Sequence, residues 1–205
     1  MTNASDQGGG SYPPTSTERG RMARAQLLKA AAELIAEIGW NAVTTRRLAD
    51  HAGIRSGLVH YHFDSLQALL RLAAMGRITL LLDETSAQLG EEADVEEGTE
   101  ALLSLVVLFD GSDPTSLLVI ETYLAATRDQ LLKEQLVEAM ARFHRTLTSA
   151  LARSGNPTPE PTALVILAAL DGLALQKGLD PELPTDEALA LLRRIIHPDQ
   201  EGTHS

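Results

Sequence analysis

The chain has 205 residues, a formal net charge of −11 and 44% hydrophobic residues. That is enough apolar mass to bury a core and too much for a disordered chain. No cysteine is present, which excludes disulfide frameworks, thiolate metal sites and cysteine nucleophiles and fits a reducing compartment. Leu (35) and Ala (28) far outnumber Val (8), Ile (8) and the seven aromatics. Leu and Ala favour helix, whereas the second set favours strand, so the composition points to an all-α protein.

Residues 1–17, rich in Gly, Ser, Thr and Pro, read as a flexible tail without the apolar stretch of a secretory signal. A first helix is predicted from about Arg19 to Ile38, with Leu27, Ala31, Leu34, Ile35 and Ile38 on one apolar stripe. Gly39 ends it, and Trp40 follows as a core anchor. Thr44 is placed to cap a short helix from Thr45 to Ala52, and Gly53 breaks it. A second short helix is expected over Ser56–His62, with Ile54 plugging the turn and Phe63 packing behind it. Two short helices joined by a Gly-containing turn make a helix-turn-helix, whose second helix offers its polar face to a major groove.

Asp64 or Ser65 is expected to cap a long helix to about Leu89. Asp94 and Glu97 have capping-box-like spacing before a helix from about Val95 to Phe109. Asp113 and Pro114 open helices over 114–127 and 129–153, read as one kinked unit. Gly155 to Pro157 stops them, with Pro159 and Pro161 completing a linker. The segment 161–178 is apolar on almost every side, so it must be buried on two faces. One face serves its own core and the other is expected against a second subunit. Ile166, Leu167, Leu170 and Leu173, with Leu192 and Ile195 of a last helix capped by Thr185, are the expected dimer interface. No uninterrupted apolar run reaches the roughly 18 residues of a membrane span, because Asp171 breaks Leu164–Leu175. The expectation is therefore no membrane and a cytoplasmic protein.

The charge is distributed unevenly. Residues 18–77 carry nine Lys/Arg against five Asp/Glu, and residues 78–205 carry eight against 22. A basic first third on an acidic body separates a part that meets polyanions from a part that does not, although solvated acidic helix faces produce the same totals.

Residues 44–70, TTRRLADHAGIRSGLVHYHFDSLQALL, resemble the DNA-binding signature of the TetR family of regulators. The likeness extends over about residues 20–70, and AALDGLALQKGLDP (168–181) resembles a helix of the choline-regulator-like subgroup. The resemblance implies an all-α, Ω-shaped homodimer: a helix-turn-helix domain over 18–65, a ligand-binding and dimerisation bundle over 66–197, and a loose tail over 198–205. It further implies binding to a palindromic operator in double-stranded DNA and release by a small-molecule effector, without a cofactor. The alternative is a helical sensing or interaction dimer that lacks specific DNA binding.

By position, Thr45, Arg46 and Arg47 resemble contacts from the second helix, where exposed N–H groups suit phosphate and an Arg can reach guanine. Ser56, Gly57, His60 and His62 resemble DNA-facing positions of the third helix, with Tyr61 in the aromatic slot between them or packed on the first helix, and Arg55 at the helix start is placed to read a base or clamp a phosphate. The family often has Tyr where His60 stands and Lys at Leu66; Arg24 and Arg47 are the candidates to replace the missing phosphate contact. His60 and His62, two residues apart on a helix, diverge by about 160° and do not share a metal ion readily, so no metal is expected. The sequence contains no nucleophile elbow and no His-Glu-x-x-His, so it does not read as an enzyme. For an effector pocket in the bundle, Phe109, Tyr123, His144, Asp171 and Gln176 are the groups able to orient a ligand. Asp171 is the most informative, because an unpaired carboxylate in an apolar helix is costly.

Overall fold

The computed structural model describes residues 15–90, 95–108 and 111–196. The expected cap Asp94, Phe109, and the segments 1–14 and 197–205 lie outside the described residues. The described residues form helices and turns with no strand. In order they are α1 (Ser16–Ile38), a short 3-10 turn (Trp40–Ala42), α2 (Thr45–Ala52), α3 (Gly57–His62), α4 (Leu66–Gln88), α5 (Val95–Leu108), α6 (Pro114–Ala126), α7 (Gln130–Arg153), α8 (Pro159–Leu179) and α9 (Asp186–Ile196).

Three boundaries differ from the sequence reading. First, α1 begins at Ser16, because Thr15 and Glu18 form a reciprocal capping box with hydrogen bonds of 3.2 and 2.7 Å. Second, the two helices expected over 114–127 and 129–153 are separate rather than one kinked unit. Asp129 accepts from the Leu132 N–H at 3.1 Å and starts α7 afresh. Third, Pro159 and Pro161 lie in the first turn of α8 rather than in a linker, where the missing N–H of proline costs nothing.

Two apolar cores hold the bundle. The first joins α1 to α4 and extends into α6 and the start of α7, through residues such as Leu27, Ile35, Leu48, Val59, Leu70, Leu118 and Leu132. The second joins Leu89 to α5, α7, α8 and α9. Leu82 of α4 packs against both. The turn before α6 approaches α8 closely: a Cβ on Gly178 would sit 2.7 Å from the Gly111 Cα.

By length and composition α8 is apolar enough to cross a membrane, with a mean hydropathy of 1.5. It nevertheless packs on α5, α6, α7 and α9, burying Ala163, Ile166 and Leu170 in the second core.

Candidate nucleic-acid interface

The helix-turn-helix is built by local chemistry. The Thr44 hydroxyl accepts from the Arg47 N–H at 3.3 Å and caps α2. Gly53 stops α2 in the left-handed conformation (φ 66°), which a side chain would resist. The Ile54 N–H then donates back to the Ala49 carbonyl at 3.0 Å, and the Ile54 side chain packs on the first core. Val59, fully buried, anchors α3 from below, with Phe63 behind it.

This anchoring turns the other side of α3 outward. Arg46, Arg47, Arg55, Ser56, Gly57 and His60 are exposed, and Tyr61 is 79% exposed. Thr45 is half-buried. Tyr61 therefore does not pack into the protein; among the described residues its ring meets that of His62 edge-on, centroids 4.9 Å apart. His62 differs from its neighbours. It is half-buried against α1, where a Cβ on Gly20 would lie 3.7 Å from its ring, so it turns away from the His60 side as helical geometry requires. Among the described residues no group of three or more metal-ligating side chains assembles.

The two arginines considered as substitutes for a lysine at position 66 are engaged. The Arg24 guanidinium lies 5.1 Å from the Phe63 ring centre, and Arg47 donates to the Ala42 carbonyl at 2.9 Å. Leu66 itself is half-buried on the first core, an apolar contact that a lysine would not make.

A contact not legible in the sequence ties this head to the bundle. The Glu121 carboxylate of α6 accepts from the Trp40 backbone N–H at 2.8 Å. The Trp40 indole N–H donates to Gln67 of α4 at 3.0 Å. Gly39 (φ 82°) lets the chain turn here, and a Cβ on it would stand 3.4 Å from the Glu121 carboxylate. Within the bundle, Arg71 of α4 and Asp129 at the start of α7 form a 2.7 Å ion pair with both side chains mostly enclosed. Burial pushes the Asp129 carboxyl up, but the Leu132 N–H and Arg71 outweigh it and hold it below the usual range.

Of the residues expected in an effector pocket, the structure brings two together. The Tyr123 hydroxyl of α6 donates to Asp171 of α8 at 3.5 Å. Burial, with Asp171 adding to it, raises the tyrosine to about 12. Both side chains keep an exposed edge, but partial desolvation still raises the Asp171 carboxyl, against the hydrogen bond from Tyr123. His144 is half-buried on α7 and Gln176 is exposed on α8, and neither bonds to that pair.

The residues expected in a dimer interface differ in how much surface they keep. Ile166, Leu170 and Leu192 are buried inside the protomer, in the second core, so they have no surface to offer a partner. Leu167, Leu173 and Ile195 are half-buried against the same core. The most outward apolar residues of these two helices are Leu164 (63% exposed), Val165, Leu175 and Leu179 of α8 and Leu191 of α9.

Residues 27–73 match the sequence model of the bacterial regulatory proteins of the tetR family. Residues 93–198, more than half the chain, match that of the tetracyclin repressor-like C-terminal domain. The chain belongs to the TetR family.

TetR-family proteins are DNA-binding transcriptional regulators rather than enzymes; they respond to small molecules and typically dimerise. An uncharacterised HTH-type transcriptional regulator of Mycobacterium tuberculosis is 27% identical over 84% of this chain and 91% of its own length. A transcriptional regulator from Streptomyces coelicolor has a solved structure with a TM-score of 0.70 and 29% identity, covering 85% of this chain and 98% of that one. A regulator from Saccharomonospora viridis, solved in complex with choline, gives a TM-score of 0.72 at 23% identity, covering 87% of this chain and 97% of that one. At that identity the last likeness speaks for the fold alone.

Proposed function

We propose that this TetR-family regulator is a repressor that binds a palindromic operator as a dimer in the cytoplasm and is released by a small-molecule effector. The observation that carries the reading is the outward face of α2 and α3. Arg46, Arg47, Arg55, Ser56, Gly57, His60 and Tyr61 stand exposed on a scaffold that Val59, Leu48 and Phe63 hold rigidly from within. Thr45 contributes from the start of α2, and His62 positions Tyr61 from behind. The dimer forms through the outward residues of α8 and α9, in the Ω-shaped arrangement of the family, so that two α3 helices meet successive major grooves.

The effector site lies between α6 and α8. Asp171 has a hydroxyl partner but no cationic one among the described residues. A carboxylate beside an aromatic ring suits a small organic cation, which gains from both. The regulator of this fold from Saccharomonospora viridis was solved with choline, which makes choline the first probe to try.

The test is selection of bound fragments from a random or genomic DNA pool at near-physiological salt, using protein shown to be a folded dimer. Enrichment of a palindrome is expected. Arg46→Ala should weaken binding to it about tenfold or more, since a good side-chain contact to a base is worth about 1–3 kcal/mol, while dimerisation survives. Affinity should also fall steeply with salt as counterions are released. No enrichment would favour the second reading, a sensing dimer without specific DNA binding, which the net charge of −11 supports.

A further inference from the structure

A cleft of about 500 Å³ opens between α1, α4 and the start of α6, away from the Tyr123–Asp171 pair. That size is within the range of small-molecule sites. Its floor is apolar, made by the buried Ala32, Ala73 and Leu118, and Leu28 and Leu72 form its walls. Its rim carries Lys29, Glu33 and Arg77. Glu33 is already occupied, by Lys29 at 3.7 Å and by the His51 ring at 3.0 Å. Arg77 has no ion pair or hydrogen bond among the described residues. The rim therefore presents an uncommitted guanidinium beside apolar walls, on a chain that is strongly acidic overall.

Gly76 is a second, independent observation. It lies inside α4, where glycine weakens a helix. Packing does not account for it, because a Cβ built there would meet nothing within 4 Å. It lines the cleft next to Arg77, and the missing side chain keeps that wall open.

We propose that the cleft between α1, α4 and α6 binds an amphipathic anion, an aliphatic carboxylate whose chain lies on Ala32, Ala73 and Leu118 and whose head pairs with Arg77. A planar guanidinium matches a carboxylate in two parallel hydrogen bonds, and the apolar floor takes the tail. The site straddles the seam where the head helix α1 meets α4 and α6, so an occupant bears on how the helix-turn-helix is seated.

Decanoate, below its micellar concentration, is the probe, titrated calorimetrically into the full chain. One saturable site is expected. Arg77→Gln should weaken it at least tenfold. Gly76→Leu, whose side chain enters open space, should abolish it while the melting temperature matches or exceeds that of the wild type. Decyltrimethylammonium, with the same tail and the opposite head, should bind more weakly and lose no affinity on Arg77→Gln. The proposal is overturned if decanoate shows no saturable binding, if both variants bind it like the wild type, or if the two probes bind the same site equally well. The readout is binding alone, so it does not depend on whether the chain represses.

Discussion

Replacing Glu121 with Ala removes the bond by which α6 holds the junction between α1 and α2. The carboxylate accepts from the Trp40 N–H at 2.8 Å, across a separation of 81 residues. Trp40 is buried, so its N–H gains little from water once the carboxylate is gone. Hydrogen bonds to charged groups contribute about 1.5–3 kcal/mol. Glu121 is half-buried, which argues for the lower part of that range, about 1.5–2 kcal/mol. For a chain of this size, with about 2–4 °C per kcal/mol, the melting temperature should fall by roughly 3–8 °C. Glu121→Gln keeps a neutral acceptor and should lose about half as much. The assay is thermal unfolding followed by circular dichroism, together with the emission of Trp40, the only tryptophan, which should shift as its surroundings loosen. Unchanged melting and emission in the Ala variant would show that the junction is held by α1 and α4 alone, and would refute the tie.

The Arg71–Asp129 pair makes stability sensitive to acid. Because the Asp129 carboxyl is held below its ordinary value, its contribution is present above the unfolded value near 3.9 and disappears as pH falls through the lower folded value. Arg71→Gln should cost about 1–2 kcal/mol at pH 7, with the gap from wild type closing below pH 4 in thermal melts; a gap independent of pH would contradict this. Asp171 has the opposite sign. Its carboxyl is raised by burial, so wild-type stability should decline as pH rises from the unfolded value through the folded one. Asp171→Asn should remove that decline without lowering the melting temperature at pH 7, and should abolish any stabilisation by choline. A destabilised Asn variant that keeps the choline effect would remove Asp171 from the effector site. Leu164→Asp should give folded monomers in light scattering, because Leu164 is exposed in the protomer. Leu170→Asp, by contrast, should damage the second core itself. A dimeric Leu164→Asp would displace the interface from this face of α8.

The helix-turn-helix was legible because its determinants are neighbours in the chain: a hydroxyl at Thr44, a glycine at 53, an apolar residue at 54, each satisfying a need created within a few residues. The start of α1 was equally local and was obscured by the Gly- and Pro-rich stretch before it. Thr15 and Glu18 carry the capping-box spacing that sets the start of α1 at Ser16, three residues before the expected Arg19. The outward face of α8 was not legible. When nearly every position is apolar, hydrophobic periodicity has no phase, and only the packing of α5, α6, α7 and α9 selects Ile166 and Leu170 for the inside and Leu164 and Val165 for the outside. The Glu121–Trp40 bond joins residues too far apart for any spacing rule. A local trace of it did exist: Glu121 is the only charged residue between Pro114 and Ala126, in a helix otherwise suited to burial, and such a residue requires a partner.

That one charge also bears on how release would be transmitted. Glu121 and Tyr123 are two positions apart on α6, so their side chains leave the helix in nearly opposite directions. Glu121 holds the turn that enters α2, and Tyr123 reaches Asp171 on α8. A helix is stiff along this short span, so an effector that displaces the tyrosine from Asp171 cannot move one side of α6 without moving the other. The bond at Trp40 is among the few polar links from the bundle to the reading head, and the first core behind it is continuous from α1 through α6 into α7. A close-packed core shifts as a unit rather than deforming locally. Effector binding under the proposed mechanism would therefore reorient the head as a body while α2 and α3 keep their internal geometry. The DNA-facing surface is thus held rigidly from within by Val59 and Leu48, while the Glu121 bond at Trp40 joins the Trp40–Gln67 bond and the shared first core in linking it to the bundle.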